Sequence, residues 1–365
     1  MSKKRINALR KLFTKNYEAV IITNVENIRY LTGYTGDSST FVITKDRAIF
    51  FTDFRFKEQS AKDIGDDAEI IIIKNGLLSV FDFINSLKIK SLGFEKNMEV
   101  AQYLEMSKVF KGERLVPVDG IVELLRQKKD KNEAKCLQKA FDIADKALEM
   151  LLEDIKIGMT EIQIAALLDF YMRFIGSEKP SFDTIVASGP NSSCPHHIPT
   201  DRKIAEGDML KIDFGATFNG YHSDMTRTFF IGKATDEFKK VYEIVAKAQK
   251  DAIEAIKIGE ECSKIDAIAR KVITDAGYGK NFGHGLGHSF GLQIHEKPAF
   301  SPLNHSKIEA GHTYTVEPGI YIPGWGGIRI EDSFWVTKEG LVRFTNFPND
   351  LIELELDVFE DAVEE

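Results

Sequence analysis

The sequence predicts two domains, an α/β domain over residues 1–125 and an α+β domain over residues 126–365 that is built from two repeats related by a pseudo-two-fold axis. Three observations lead to this fold class. Short apolar segments of strand character alternate with segments of helical periodicity in the first third of the chain. A charged stretch and a long amphipathic helix follow. Beyond them, four sequence elements occur twice in the same order.

The first domain is predicted from the order of its strands and helices. Strands are expected at 18–23, at 39–53 as a hairpin turning near Lys45-Asp46, at 68–74 and at 91–95, and helices at 77–89 and 99–110. Strands that alternate with helices in this way are typical of an α/β domain.

The second domain is predicted from its internal repeat. Segment 154–176 resembles segment 255–277, because in both a Lys-Ile-Gly sequence ends one helix and a second helix closes at a glycine. Segment 206–213 then matches 310–317, and this alignment places Asp213 opposite Glu317. The match of 222–232 with 329–340 places Asp224 near Glu331. Each half therefore brings two acidic residues, and the four carboxylates are expected to converge between the halves.

The stretch DFGATFNGYHSDMTRTFF, residues 213–230, is predicted to form a β-hairpin. Asn219-Gly220 is a strong two-residue turn signal, because both positions tolerate positive φ. Around this turn Asp213 faces Thr226, and Asp224 lies on the same face as Asp213. Two carboxylates on one face of a strand pair repel each other unless a cation or a proton relieves them. The hairpin therefore predicts a bound cation.

Histidines supply further candidate ligands. Three of the eight in the chain, His284, His288 and His295, fall in the glycine-rich stretch GHGLGHSFGLQIHE. Carboxylates together with an imidazole suit hard-to-borderline divalent ions such as Mn²⁺, Co²⁺ or Zn²⁺. Two such ions about 3.5–4 Å apart are the usual arrangement for activating a water molecule for hydrolysis.

Composition excludes several classes of protein. The net charge of −8 argues against nucleic acid as the main partner. No run of about 18 apolar residues is present, so we expect no membrane-spanning helix, and the N-terminus lacks a secretory signal. An odd number of widely spaced cysteines, three in all, is typical of reduced thiols in the cytoplasm.

Several segments resemble a known family. DFGATFNGYHSDMTRTF, GHGLGHSFGLQIHE, TVEPGIYIP and GIRIEDSFWVT are similar to the signature segments of the pita-bread metallopeptidases, specifically the proline peptidases Xaa-Pro aminopeptidase and prolidase. NIRYLTGYTGDSSTFVIT and FFTDFRF resemble the creatinase-like N-terminal domain that accompanies them. The resemblance implies a creatinase-like domain over 1–125 and a pita-bread catalytic domain over 126–365.

The resemblance also implies roles for individual residues. Two divalent ions, expected to be Mn²⁺ with Co²⁺ or Zn²⁺ as alternatives, are implied to bind Asp213, Asp224, His288, Glu317 and Glu331. Glu317 is also expected to transfer protons, and His196 and His295 to contact the substrate, although His197 competes with His196 for this role. Arg329 and His284 are expected to contact the ligands or the substrate. The aromatic and glycine-rich segment 321–329 is expected to line the site that binds the proline ring of the substrate.

The function predicted from these residues is that of a cytoplasmic Xaa-Pro aminopeptidase acting on proline-containing peptides. Prolidase, which cleaves only Xaa-Pro dipeptides, is the alternative, and a catalytically inactive peptide-binding module is a remote one. The resemblance further implies a homodimer, with neither nucleic acid nor membrane as a partner.

Overall fold

The computed structural model describes residues 2–359. The chain divides into two compact units, residues 1–126 and residues 127–365. Within the described part, no helix combines the length and the apolar character needed to cross a membrane.

The first unit contains a six-stranded mixed sheet in the order β4-β3-β2-β1-β5-β6. Its strands are β1 (Ala19–Ile22), β2 (Thr40–Thr44), β3 (Ala48–Thr52), β4 (Glu69–Ile72), β5 (Ser91–Glu95) and β6 (Arg114–Val118). Its helices are α1 (Ser2–Lys11), α2 (Val25–Thr32), α3 (Lys57–Ile64), α4 (Gly76–Ser86), α5 (Val100–Val109) and α6 (Ile121–Arg126). All the predicted strands and helices of this unit are present, and β6 and four helices were not predicted.

The second unit begins with a long helix and contains two pairs of helices. These are α7 (Lys131–Asp154) with α8 (Glu161–Phe174), and α9 (Asp236–Ala255) with α10 (Cys262–Asp275). The strands of its first half are β7 (Ile185–Ser188), β8 (Met209–Phe214), β9 (Thr217–Phe218), β10 (Tyr221–His222) and β11 (Met225–Ile231). Those that follow α10 are β12 (Gly287–Ser289), β13 (Glu296–Phe300), β14 (Thr313–Val316), β15 (Gly319–Ile322), β16 (Gly326–Arg329), β17 (Asp332–Thr337), β18 (Gly340–Arg343) and β19 (Glu353–Leu354).

Equivalent backbone hydrogen bonds occur in the two halves of this unit. Gly158 N–H donates to the Ile204 carbonyl in the first half, and Gly259 N–H donates to the Ile308 carbonyl in the second. Each helix pair packs on the strands of its own half, giving one apolar core around β8 and β11 and another around β14 and β17. The halves meet where Glu331 N–H donates to the carbonyl of Thr226, 3.1 Å away. The predicted fold class, an α/β domain followed by a duplicated α+β domain, is confirmed.

The hairpin carrying the first two acids has the predicted register. Asp213 pairs with Thr226 across β8 and β11, and the turn residues Asn219 and Gly220 have φ values of 49° and 76°. The hairpin lies inside the unit, since Asp213 is 8% exposed and Asp224 is 5% exposed. Burial makes the repulsion between the two carboxylates more costly than it is at a solvated surface.

Gly215, the residue opposite Asp224 in this hairpin, is required by close packing. A Cβ atom built on Gly215 lies 1.9 Å from the Ser223 carbonyl oxygen. We expect Gly215→Ala to lower the free energy of unfolding by about 1–3 kcal/mol or more, because the clash is with backbone, which relaxes poorly. Denaturant unfolding measures the loss. Gly283→Ala is the control, since its Cβ meets nothing within 4 Å, and an equal loss in both variants would contradict the packing explanation.

Candidate metal centre

The four predicted carboxylates lie at equivalent strand ends in the two halves. Asp213 is near the end of β8, and Glu317 directly follows β14. Asp224 directly precedes β11, and Glu331 directly precedes β17. Because β8 pairs with β11 and β14 pairs with β17, the two acids of each half lie together at one end of its strand pair.

These side chains meet at one point with His288, which lies in the middle of β12. Potential ligand atoms of Asp224, His288 and Glu331 all lie within 4.8 Å of one another. His288 Nε2 is 3.4 Å from Asp224 Oδ2 and 3.5 Å from Glu317 Oε1. The structure therefore brings carboxylates from both halves around a single imidazole.

The tautomer of His288 follows from its other ring nitrogen. Nδ1 lies 3.1 Å from the Ser289 carbonyl oxygen, which only accepts hydrogen bonds, so Nδ1 carries the proton. In the neutral ring, Nε2 then presents a lone pair toward Asp224 and Glu317. A lone pair facing two carboxylate oxygens is repulsive without a cation between them. This is the usual arrangement of a metal-binding histidine, whose second nitrogen is fixed by a backbone carbonyl.

Two carboxylate oxygens at the centre are buried without a hydrogen-bond partner among the described residues. They are Asp213 Oδ1 and Glu331 Oε1. Their companion oxygens are occupied, since Asp213 Oδ2 accepts a short hydrogen bond from Arg329 Nη2 and Glu331 Oε2 accepts one from Thr226 Oγ1 at 2.7 Å. Each of these two acids is thus held in place by one oxygen and leaves the other available for a cation.

The pKa values of the acids show the same unbalanced charge. The pKa of Asp224 is raised well above its ordinary value, mainly by burial and in addition by repulsion from Asp213 and Glu317. Burial followed by repulsion from Asp224 does the same to the pKa of Glu331, and burial raises the pKa of Glu317. An oxygen-rich donor set with one imidazole and excess negative charge fits divalent cations.

Arg329 is the buried positive charge of the centre, and it connects to a second histidine. Besides Asp213, its Nη1 donates to the Tyr321 hydroxyl oxygen at 2.8 Å. Tyr321 OH lies 3.0 Å from His284 Nε2, and His284 Nδ1 lies 2.8 Å from the Gly285 carbonyl. These contacts hold the His284 ring in place. Its pKa is lowered to about 4, mainly because the ring is buried, so the ring is neutral at neutral pH. The roles of Tyr321 and Thr226 in holding the site were not predicted, although Tyr321 lies in the segment expected to line it and the predicted register placed Thr226 opposite Asp213.

A cavity of about 470 Å³ opens onto these residues and is also lined by His196, His284 and His295. His295 packs against His288, with ring centroids 4.3 Å apart. The apolar part of the wall comes from Phe182, Ile185, Ile198, Ile294, Ala299 and Phe300. The expectation that segment 321–329 walls the site was wrong, because only Arg329 of that segment lines the cavity. The other residues of that segment lie in the β15–β16 ribbon, whose Ile320 and Ile328 belong to the core of the second half.

The two neighbouring histidines of the loop after β7 have different surroundings. His197 Nε2 lies 2.8 Å from Glu161 Oε2 and is therefore engaged with a buried carboxylate. His196 and His197 both line the cavity together with His284 and His295. The two rings thus differ in that His197 is anchored to Glu161.

Both units match known protein families. Residues 135–338 match the family described as "Metallopeptidase family M24". Residues 5–128 match the "Creatinase/Prolidase N-terminal domain".

Similar proteins cover nearly the whole chain. A Xaa-Pro dipeptidase of Pyrococcus horikoshii is 36% identical over 95% of this chain and 98% of its own length. A solved structure of a Xaa-Pro dipeptidase from Bacillus anthracis superimposes with a TM-score of 0.94 at 39% identity, covering 97% of this chain and 100% of that one. An X-Pro aminopeptidase structure from Thermotoga maritima gives a TM-score of 0.86 at 36% identity, covering 92% and 97%.

Cation binding should stabilise the fold more strongly as the pH rises. The pKa values of Asp224 and Glu331 are raised on folding, so each contributes stability below its ordinary pKa and loses it as the pH rises through the raised value. A cation restores the loss by compensating the ionised forms. We expect the gain in Tm with Mn²⁺ over chelator to be larger at about pH 8 than at about pH 5.5. Calorimetry measures it, and equal gains at both pH values would contradict the assignment.

Proposed function

The chain belongs to metallopeptidase family M24, and on that premise we propose that it hydrolyses the peptide bond before proline, with Xaa-Pro dipeptides as its main substrates. The observation that carries the proposal is the buried centre at which carboxylates of both halves converge on Nε2 of His288. The names of the similar proteins favour the dipeptidase alternative over the aminopeptidase predicted from the sequence.

The five proposed metal ligands are Asp213, Asp224, His288, Glu317 and Glu331. We assign Asp224 and Glu331, which lie at the junction of the two halves, as the ligands that would be shared by the two ions. When bound, a pair of divalent cations supplies a water nucleophile of lowered pKa and polarises the scissile carbonyl. Mn²⁺ is our proposed native metal, with Co²⁺ or Zn²⁺ as alternatives.

Glu317 is the proposed proton carrier. Its carboxylate lines the cavity beside His288 and is held by the Thr315 hydroxyl at 3.1 Å. In hydrolysis a water oxygen bonds to the carbonyl carbon and the bond from carbon to the proline nitrogen breaks. Glu317 accepts a proton from the water and donates it to the leaving nitrogen, which carries no hydrogen of its own in an Xaa-Pro bond.

His196 and His295 are the proposed donors to the substrate carbonyl. Both line the same cavity as the acids, and an imidazole N–H aimed at the developing oxyanion stabilises the transition state more than the ground state. Arg329 holds Asp213, and through Tyr321 it holds His284, so we assign both Arg329 and His284 to supporting the site rather than to proton transfer.

Xaa-Pro aminopeptidase remains the second candidate because of the charge of the cavity. Of the described residues that line it, Arg329 is the sole lysine or arginine, and its guanidinium is paired with Asp213. A dipeptide places its free carboxylate next to the cleaved bond and needs a positive partner there, whereas a longer peptide does not. The similar Thermotoga maritima structure is described as an X-Pro aminopeptidase, which favours the same alternative.

We propose a cytoplasmic homodimer that acts on proline-containing peptides. The three cysteines are free thiols, which suits a reducing compartment.

The proposed function is tested by comparing leucyl-proline, leucyl-alanine and leucyl-prolyl-glycine as substrates, each with added Mn²⁺ and with chelator. We expect leucyl-proline to be cleaved fastest, leucyl-alanine to be cleaved poorly, and chelation to abolish all hydrolysis. Release of free leucine measures each rate. Faster cleavage of the tripeptide would establish the aminopeptidase alternative, and full activity after metal removal would exclude a metallopeptidase.

His196 and His197 should respond differently to substitution. We expect His196→Ala to lower kcat by roughly 10²–10³-fold with metal content unchanged, the usual cost of removing one oxyanion donor. His197→Ala should lose less, because Glu161 keeps its hydrogen bonds to Thr200 and Ser188. Steady-state kinetics and metal analysis of both variants decide the matter. A larger loss in His197→Ala would move the catalytic assignment by one residue.

A further inference from the structure

Glu161, the first residue of α8, has a fully buried side chain that accepts an unusual number of hydrogen bonds. Its Oε1 accepts from Ser188 N at 2.8 Å, Ser188 Oγ at 2.7 Å and Asn191 Nδ2 at 3.1 Å. Its Oε2 accepts from His197 Nε2 at 2.8 Å, Thr200 N at 3.0 Å and Thr200 Oγ1 at 2.7 Å. The carboxylate is therefore surrounded by six donors, three on each oxygen.

All six donors belong to one segment, residues 188–200, which we call the His196 loop. Ser188 is its first residue and Thr200 its last, so a single carboxylate ties the two ends together. Burial alone would raise the pKa of Glu161, but the hydrogen bonds from Thr200, His197 and Ser188 outweigh it and lower the pKa to about 2. Glu161 is thus ionised at neutral pH, and hydrogen bonds to a charged acceptor are the stronger kind.

The opposite side of the His196 loop is held by hydrogen bonds from Lys211 and Arg329. Lys211, which is fully buried in β8, donates from Nζ to the Ser192 carbonyl at 2.9 Å and to the Cys194 carbonyl at 2.7 Å. Arg329 Nη1 donates to the Pro195 carbonyl at 3.3 Å. The backbone that precedes His196 is therefore fixed by these contacts, and the His196 side chain lines the cavity.

The duplicated half of the unit shows that the fold does not require a carboxylate at this place. Glu161 N–H donates to the Arg202 carbonyl, and Cys262 N–H donates to the Ser306 carbonyl in the same way. Cys262 thus occupies the equivalent position, where its Sγ lies 3.5 Å from the Tyr314 hydroxyl. An uncharged thiol suffices in the second half, so the carboxylate in the first half serves something specific to the His196 loop.

We propose that Glu161 is a positioning residue, whose carboxylate holds the His196 loop so that the His196 ring faces the substrate. The expected effect on catalysis rests on the proposed function, because that function defines the reaction that is measured. The ordering of the loop by Glu161 stands on geometry alone.

The test compares Glu161→Gln with a matched control, Asp145→Asn. Asp145 is also a buried carboxylate that accepts from backbone, from Asn346 N at 2.8 Å and Phe347 N at 3.2 Å, but it contacts no residue of the His196 loop in these hydrogen bonds. In Glu161→Gln the amide group replaces an acceptor oxygen and opposes the donors. We expect faster amide hydrogen exchange within residues 188–200 and, on leucyl-proline, a kcat lower by about 10–10²-fold, the cost of a small misplacement at an active site. Metal content should not change.

A double-mutant cycle separates positioning from general destabilisation. If Glu161 acts through His196, Glu161→Gln in a His196→Ala background should cost little further kcat, because the effects of residues that act as one unit are not additive. If the loss of kcat in the double variant equals the product of the fold losses in the two single variants, the proposal is overturned. Exchange in the His196 loop as slow as in the wild type would also overturn it, as would the same exchange and kcat changes in Asp145→Asn.

A second variant covers the case in which Glu161→Gln does not fold. Thr200→Val removes one of the six donors, and we expect faster exchange in the His196 loop and a smaller kcat loss that disappears in the His196→Ala background. Unchanged exchange in Thr200→Val would count against the proposal. If the wild-type chain cleaves no Xaa-Pro peptide, the proposed function fails, whereas the exchange experiment still decides whether Glu161 orders the loop.

Discussion

Mutual repulsion among four buried carboxylates, Asp213, Asp224, Glu317 and Glu331, is the constraint on which the arrangement of the second unit depends. Burial first, and then repulsion from neighbouring carboxylates, raises the pKa of Asp224 and of Glu331, and burial raises the pKa of Glu317. Among the described residues that line the cavity, Arg329 is the one arginine or lysine, and it is paired with Asp213. The remaining charge is balanced only by protons or by cations, so the centre is built for ions of high charge.

Holding such a centre requires a rigid frame from both halves. β11 of the first half and β17 of the second lie beside each other and are joined by a buried ion pair, Arg227 Nη2 to Asp332 Oδ1 at 2.7 Å. Asp332 directly follows Glu331, so this pair fixes the strand end that carries a proposed bridging ligand. A network of this kind leaves the carboxylates little conformational freedom. The protein, rather than the bound ion, therefore sets the arrangement of the ligands.

Local pattern explains how much of this was predictable. The turn at Asn219-Gly220 and the alternation around it were sufficient to pair Asp213 with Thr226, and the repeated segments were sufficient to align the two halves. The cavity walls were not predictable, because Phe182 and Ile294 come from segments far apart in sequence. The roles of His196 and His197 were not separable either, since two adjacent histidines differ only in their tertiary neighbours. Glu161 looks in the sequence like an ordinary acidic residue in the first turn of a helix. Its role was not predictable, because its hydrogen-bond partners lie 27–39 residues away in the chain.

The tight turn at Asn219-Gly220 has a consequence for how this chain can change in length. Asp213 and Asp224 share a face because eleven positions separate them and the turn uses two residues. Adding or removing one residue within either strand, with the two-residue turn kept, would move one carboxylate to the opposite face of the sheet. Such an insertion would take one of the two aspartates away from the centre, whereas a substitution elsewhere in the strands leaves both on the same face. Room for insertions therefore lies outside these two strands, and the number of strand residues between each aspartate and the turn is itself part of the site.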